Sequence, residues 1–300
     1  MRLLRFCLLT ILIIYALKSE LFAQKSFSDL HNNLTPLFEK NGSGIYKVND
    51  IEVTIVAIDL RTTTFNQSYG EILESSKNDS GKFIENLPSP SFKRISYSSL
   101  VDTLATDYLA LINASFFENY EEYTPLSFPI FHNNRYITSG SSPFAYVSPK
   151  HPYYSTIDLY SLNIFDKYAS IEIFDSTNIF SSGNNSIHQQ LVSYRYQDHP
   201  ALIIGNDTKT RFLLVGLVNQ KEYSDSEYLL FAFGNNKIGE IAKALRELGV
   251  TSEIMTFDGG SSVLLYNKTL GYLETPHVYD EDGNYFRIEK LPHYLYFEYK

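Results

Sequence analysis

Cysteine is almost missing from this chain: Cys7 is the only one in 300 residues, tryptophan is absent and methionine occurs twice. A disulfide framework is therefore excluded, and a thiolate zinc site with it. The seven histidines show no H-E-x-x-H or comparable ligand spacing, so no metal is expected. Positive charge is scarce, with 25 Lys and Arg against 34 Asp and Glu, a net charge of −9. That balance disfavours nucleic acid and anionic membranes as partners. Long apolar runs are also lacking, since no segment approaches the roughly 18 to 20 residues of a spanning helix. No internal repeat is present, and neither the phosphate loop nor the nucleophile elbow matches, because no lysine follows the glycines and no G-x-S-x-G occurs.

What the chain does have begins with Met-Arg-Leu-Leu-Arg, the apolar stretch Phe6 to Leu17, and Leu21-Phe22-Ala23. A basic start, an apolar middle and a small residue before Gln24 predict a secretory signal over residues 1–23, with an uncleaved anchor as the other reading. Its removal takes Arg2, Arg5, Lys18, Glu20 and Cys7, leaving 22 basic and 33 acidic residues, a net charge of −11. A secreted or periplasmic protein without disulfides must be held by its core, and 24 Tyr with 21 Phe supply large surfaces to bury. Residues 24–44 are polar and read as an arm or linker, followed by one domain over 45–300.

The most informative stretch is Gly239 to Tyr266. Ile238, Ile241, Ala242, Leu245 and Leu248 recur at helical steps, and Gly249 ends the pattern. The β-leaning Ile254 to Phe257 then runs into Asp258-Gly259-Gly260-Ser261-Ser262 and a second apolar run, Val263 to Tyr266. This places a carboxylate on a tight turn at a strand end. Two glycines let a ligand approach bare backbone, and successive N–H groups with two hydroxyls suit a phosphate or sugar oxygen. An ordinary turn in which Asp258 accepts local hydrogen bonds fits the same spacing.

Elsewhere, Ile45 to Leu60 predicts two strands about Asn49-Asp50, residues 62–91 a loop, and Ser96 to Asp107 a serine-capped helix. The apolar Tyr108 to Ile112 leads to Asn113 at a strand exit, where an amide can meet a sugar hydroxyl or cap a turn. Leu202 to Gly205 and Arg211 to Val218 read as a hairpin. Ser139 to Ser142 and Ser182 to Asn185 read as flexible turns, and Asp282-Gly283 as a hairpin tip. The run Asp280 to Asn284 fails as a calcium loop, its glycine falling at the fourth position instead of the sixth; calcium is possible but no motif indicates it, and no cofactor is expected. Many short strands with two convincing helices predict an α+β fold with a mixed, mainly antiparallel sheet.

Three blocks in order resemble the phosphodiester glycosidase family over roughly Ile51 to Tyr299. Asn113-Ala114-Ser115-Phe116-Phe117 is similar to its Asn-Gly-Gly-Phe-Phe. Leu248-Gly249, then Ile254 to Phe257, then Asp258-Gly259-Gly260-Ser261-Ser262 is similar to its helix end, strand and Asp-Gly-Gly-Gly-Ser. Arg287 stands where the family has a late arginine. Ala114 and Ser115 replace two glycines, and Ala201 to Gly205 lacks the arginine of the family's Arg-Thr-Ala-Ile-Gly. The resemblance implies a secreted hydrolase that cleaves a sugar-1-phosphate diester of the N-acetylglucosamine type. It implies Asp258 as the acid/base or a stabilising carboxylate, Asn113 on a sugar hydroxyl, Arg287 offsetting phosphate, and Gly259, Gly260, Ser261, Ser262 and Phe116 around the substrate. Asp59 and Glu118 are candidates for a second carboxylate. The alternative is a non-catalytic glycan- or phosphosugar-binding protein on the same fold, with a carbohydrate as partner either way.

Overall fold

The computed structural model describes residues 27–28, 31–73, 84, 87–104, 107–140, 157–175, 187–203, 205, 207–219 and 227–300. The signal expected over residues 1–23, Ser141-Ser142 and the turn at Ser182 to Asn185 lie outside them. Three antiparallel sheets make the body. The first runs, in spatial order, Leu34–Lys40, Ser43–Val48, Val53–Asp59, Glu227–Asn236, Thr210–Asn219 and Met255–Phe257. The second runs Arg135–Thr138, Ile130–His132, Gln189–Tyr194, Leu159–Ile164 and Ala169–Ile173. The third runs Gly271–Glu274, Leu265–Asn267, Tyr108–Asn113, His293–Tyr299 and Thr63–Tyr69.

The unbroken apolar run of Val53–Asp59 has a packing reason. Alternate residues point to opposite faces of a strand, and here both faces are covered. Val56 and Ile58 enter the core shared by the three sheets, with Leu213, Leu229, Phe231, Ile112, Leu162 and Phe297. Val53, Ile55 and Ala57 meet Ile238, Ile241, Ala242 and Leu245 of the helix Ile238–Glu247, which lies on the other face. The helix Tyr97–Thr103, begun at Ser96, seals the outer face of the third sheet through Tyr97, Leu100 and Val101 beside Tyr108, Leu111 and Tyr294.

The structure is richer in strand than an α+β reading implies, and several sheets stand where one was expected. Part of the supposed arm, Leu34–Lys40, is an edge strand paired with Ser43–Val48, and Phe27 is fully buried between the rings of Tyr46 and Tyr228. An edge strand with one wet face carries few apolar residues, which hid it. Part of the supposed loop, Thr63–Tyr69, pairs with His293–Tyr299. Its inward Gln67 interrupts the apolar alternation that would have marked a strand. The hairpin expected at Leu202 is instead the helical turn Pro200–Ile203, with proline at its first position. Thr210–Asn219 takes Glu227–Asn236 as its partner. No helix among the described residues is long and apolar enough to cross a membrane.

Candidate functional site

Met255–Phe257 ends against Leu213, and the chain leaves the sheet at Asp258. The Asp258 N–H donates to the carbonyl of Ala114 at 3.0 Å, and the Ser262 N–H closes a 3-10 turn over Gly260–Ser262 on the carbonyl of Gly259 at 3.2 Å. The two glycines serve different needs. A Cβ on Gly259 would stand 3.0 Å from the carbonyl oxygen of Arg211, tight enough that the strand beneath would have to give by a few tenths of an ångström. Gly260 has φ +60°, and a Cβ there would meet nothing within 4 Å, so its backbone faces open space.

Asn113 ties the turn to the third sheet. Its Nδ2 donates to the carbonyl of Asp258 at 2.5 Å, and its Oδ1 accepts from the N–H of Leu264 at 2.9 Å. At 1% exposure it sits behind the turn. The hydroxyl grip expected of Asn113 therefore gives way to a positioning role. Asp258 itself keeps some exposed surface, yet its carboxyl is closely surrounded by protein. Burial pushes it up to about 8, against a smaller downward pull from the Ser262 hydroxyl. At neutral pH this carboxyl is predominantly protonated and can give a proton.

Tyr120 is the neighbour that sequence reading missed. Its hydroxyl lies 2.5 Å from Ser261 Oγ and 3.1 Å from Ser262 Oγ. Arg94 donates to the carbonyls of Tyr120 and Glu121 and places its guanidinium 5.5 Å from the Tyr120 ring centre. Burial raises the Tyr120 hydroxyl, and the Asp258 charge adds to that rise. Arg211 was missed as well. Its guanidinium donates to the carbonyls of Thr275 at 2.8 Å and His277 at 3.1 Å, next to the strand backbone that crowds Gly259. Glu274, half-buried at the end of Gly271–Glu274 in the third sheet, is raised by burial, and the Arg211 charge opposes part of that rise. Position in the sequence carries no trace of either contact.

The other expected residues are more dispersed. Arg287 is exposed on the hairpin His277–Tyr279 with Tyr285–Arg287. Its Nε donates to the Tyr97 hydroxyl, and its guanidinium lies 5.1 and 5.2 Å from the Tyr97 and Tyr272 ring centres. Phe116, expected beside substrate, is 6% exposed and stacks on Tyr194 at 5.5 Å within a cluster that includes Phe128. Asp59 lies at the far end of its strand and takes Arg61 in a two-point ion pair, which removes it as a second carboxylate. Glu118 is exposed two residues before Tyr120. Among the described residues, no group of three or more His, Cys, Asp or Glu could hold a metal ion.

Ala114 and Ser115 do not obstruct the turn, because both are buried. Ser115 Oγ lies 2.9 Å from His293 Nδ1, and His293 Nε2 is buried with no hydrogen-bond partner among the described residues. Burial, with a smaller contribution from His132, pushes His293 down to about 3. A folded value below the unfolded one means that stability is complete above about 6.5 and falls as pH drops toward 3, by up to ~1.4 kcal/mol per pH unit. His293→Asn should therefore gain stability relative to the parent as pH falls below 6.5. Melting midpoints of both proteins from pH 7 to 4 check this, and a constant gap between them would count against it.

No known family description matches this sequence. No curated protein matches it either. Solved structures do. The catalytic domain of zebrafish N-acetylglucosamine-1-phosphodiester alpha-N-acetylglucosaminidase, auto-inhibited by its pro-peptide, superposes with a TM-score of 0.51 at 12% identity, over 89% of this chain and 81% of that chain. A hypothetical protein from Synechocystis gives a TM-score of 0.37 at 10% identity, over 89% of this chain and 61% of that one. The zebrafish likeness shows a related fold, and at this identity it extends no further.

Proposed function

We propose that this protein is a secreted hydrolase that cleaves a sugar-1-phosphate diester, with Asp258 as the proton donor. The observation that carries the reading is a carboxyl pushed up to about 8 on a turn whose Gly260 backbone lies open beside two serine hydroxyls. A glycosidic bond to phosphate needs modest acid assistance, because phosphate leaves readily and a fixed polar site stabilises the developing charge. In the reaction, water adds to the anomeric carbon as the bond from that carbon to the phosphate-bearing oxygen breaks. Asp258 gives its proton to the departing oxygen, and a proton lost by the water restores it.

Tyr120 holds Ser261 and Ser262 in register, and Asn113 holds the turn against the sheet. Glycoside cleavage commonly employs two carboxyl groups, and Glu274, half-buried and under the influence of the Arg211 charge, is offered as the second. The likeness in fold to a glycosidase catalytic domain supports the class of reaction. The competing reading, a glycan binder without turnover, is favoured by Ala201 at the place of the family arginine and by the engagement of Arg287 with Tyr97.

The test is release of free sugar from a panel of sugar phosphodiesters, N-acetylglucosamine donors first, from pH 4 to 9. Turnover is expected below pH 8. Binding without release across the whole panel would establish the binder instead.

A further inference from the structure

The hairpin formed by His277–Tyr279 and Tyr285–Arg287 gathers more exposed large hydrophobic side chains than any other described part of the chain: Tyr279 is 64%, Phe286 53% and Tyr285 51% exposed, with Val278 at 37%. Large exposed aromatic groups mark surfaces that meet something. The pairing register sorts the side chains. His277 faces Arg287, Val278 faces Phe286, and Tyr279 faces Tyr285. Since side chains alternate across a strand, His277, Tyr279, Tyr285 and Arg287 share one face, and Val278 and Phe286 share the other. The ring contacts agree: His277 lies 4.8 Å from Tyr285 and 5.3 Å from Tyr279, and those two tyrosines are 5.8 Å apart. Through Arg287 the face continues to Tyr272, itself 38% exposed.

This stripe is joined to the Asp258 turn. The strand His277–Tyr279 packs on Gly260–Ser262, and Arg211, whose backbone crowds Gly259, donates to the carbonyls at 275 and 277 that begin the hairpin. The charge around it limits what it can receive. Asp280, Glu281 and Asp282 form the tip and outnumber the single guanidinium of Arg287, and the chain as a whole is acidic, so anionic lipid and nucleic acid are disfavoured. Flat rings with polar edges and no net attraction for anions suit the apolar faces of neutral pyranose rings.

We propose that the face formed by His277, Tyr279, Tyr285 and Arg287 is a subsite for a neutral oligosaccharide that extends outward from the sugar held at Asp258, its pyranose rings stacked on Tyr279 and Tyr285. The direction of the chain rests on the hydrolase reading, whereas binding to the face does not.

Titration calorimetry on the full chain, with oligomers of one to six units of N-acetylglucosamine, glucose and mannose, tests it. At least one series should tighten by about tenfold between one and four units, the gain expected of two ring contacts. Tyr279→Ala with Tyr285→Ala should abolish that gain and leave single-sugar phosphodiester turnover unchanged. Val278→Ser with Phe286→Ser, on the opposite face, should preserve it, and melting curves confirm that both double variants fold. Affinity independent of length in all three series, or a length gain that survives the tyrosine variant, overturns the proposal. So does tyrosine-dependent binding to phosphatidylserine vesicles without any gain in the sugars. Failure of the hydrolase reading appears separately, as absent turnover with the length gain intact.

Discussion

Asp258→Asn should lower sugar phosphodiester turnover by about 10²- to 10⁴-fold, the usual contribution of a positioned proton donor, while substrate affinity stays within a few-fold. The carboxamide nearly matches the carboxyl in shape and can still meet Ser262, so the difference isolates the proton. In the parent, turnover should fall as pH rises through about 8, where Asp258 loses that proton. Stability gives an independent check. The folded value lies above the unfolded one, so the stabilising contribution of Asp258 is complete below about 3.9 and declines as pH rises through about 8. Asp258→Asn removes the penalty of a buried charge and should raise the melting midpoint at pH 9 while changing it little at pH 4. Unchanged turnover in the variant would remove Asp258 from the chemistry.

Asn113→Ala should be the most damaging change to the turn. It leaves the Leu264 N–H and the Asp258 carbonyl without their side-chain partner, and Leu264 is fully buried. Stranding one fully buried and one half-buried polar group costs about 3 kcal/mol, at ~1–3 kcal/mol for each. Urea unfolding should show a lower midpoint at unchanged slope, because the loss lies in native contacts. Turnover should fall with it, since Asp258 hangs from this amide. Asn113→Asp refines the point. It can still accept from Leu264, yet it sets a carboxylate against the Asp258 carbonyl, so its deficit should be larger at pH 8 than at pH 4. A loss under about 0.5 kcal/mol for the alanine variant, the range of an ordinary surface change, would show that the amide does not organise the turn.

How much of this was legible varies with the kind of signal. The helix Ile238–Glu247 and its glycine stop could be read because an amphipathic helix writes its buried face into the chain at a fixed period. Asp258 at a strand end was readable from local turn chemistry, and Asn113 from a buried run ending in an amide. Leu34–Lys40 and Thr63–Tyr69 were not, because an edge strand and a strand with an inward glutamine lack the alternation that marks strands. Tyr120, Arg211 and Glu274 carry no local mark at all. Tyr120 and Arg211 come to the turn from segments 138 and 47 residues away from Asp258 in the chain, and Glu274 is tied to it only through the Arg211 charge, so only packing reveals them.

By itself the sequence determined a disulfide-free, acidic chain held by an aromatic core, with a carboxylate set on a glycine turn. Those properties follow from residue types and near neighbours, which composition and spacing record. Tertiary structure alone decided that the carboxyl is raised to about 8, that Asn113 holds the turn from behind, that Phe116 packs in the core, and that Arg287 belongs to an aromatic hairpin. The reason is that desolvation and hydrogen bonding depend on which groups share a few ångströms of space. Contacts between strands 145 residues apart, as Asn113 and Asp258 are, are set by how sheets stack and pair, not by any pattern within one of them.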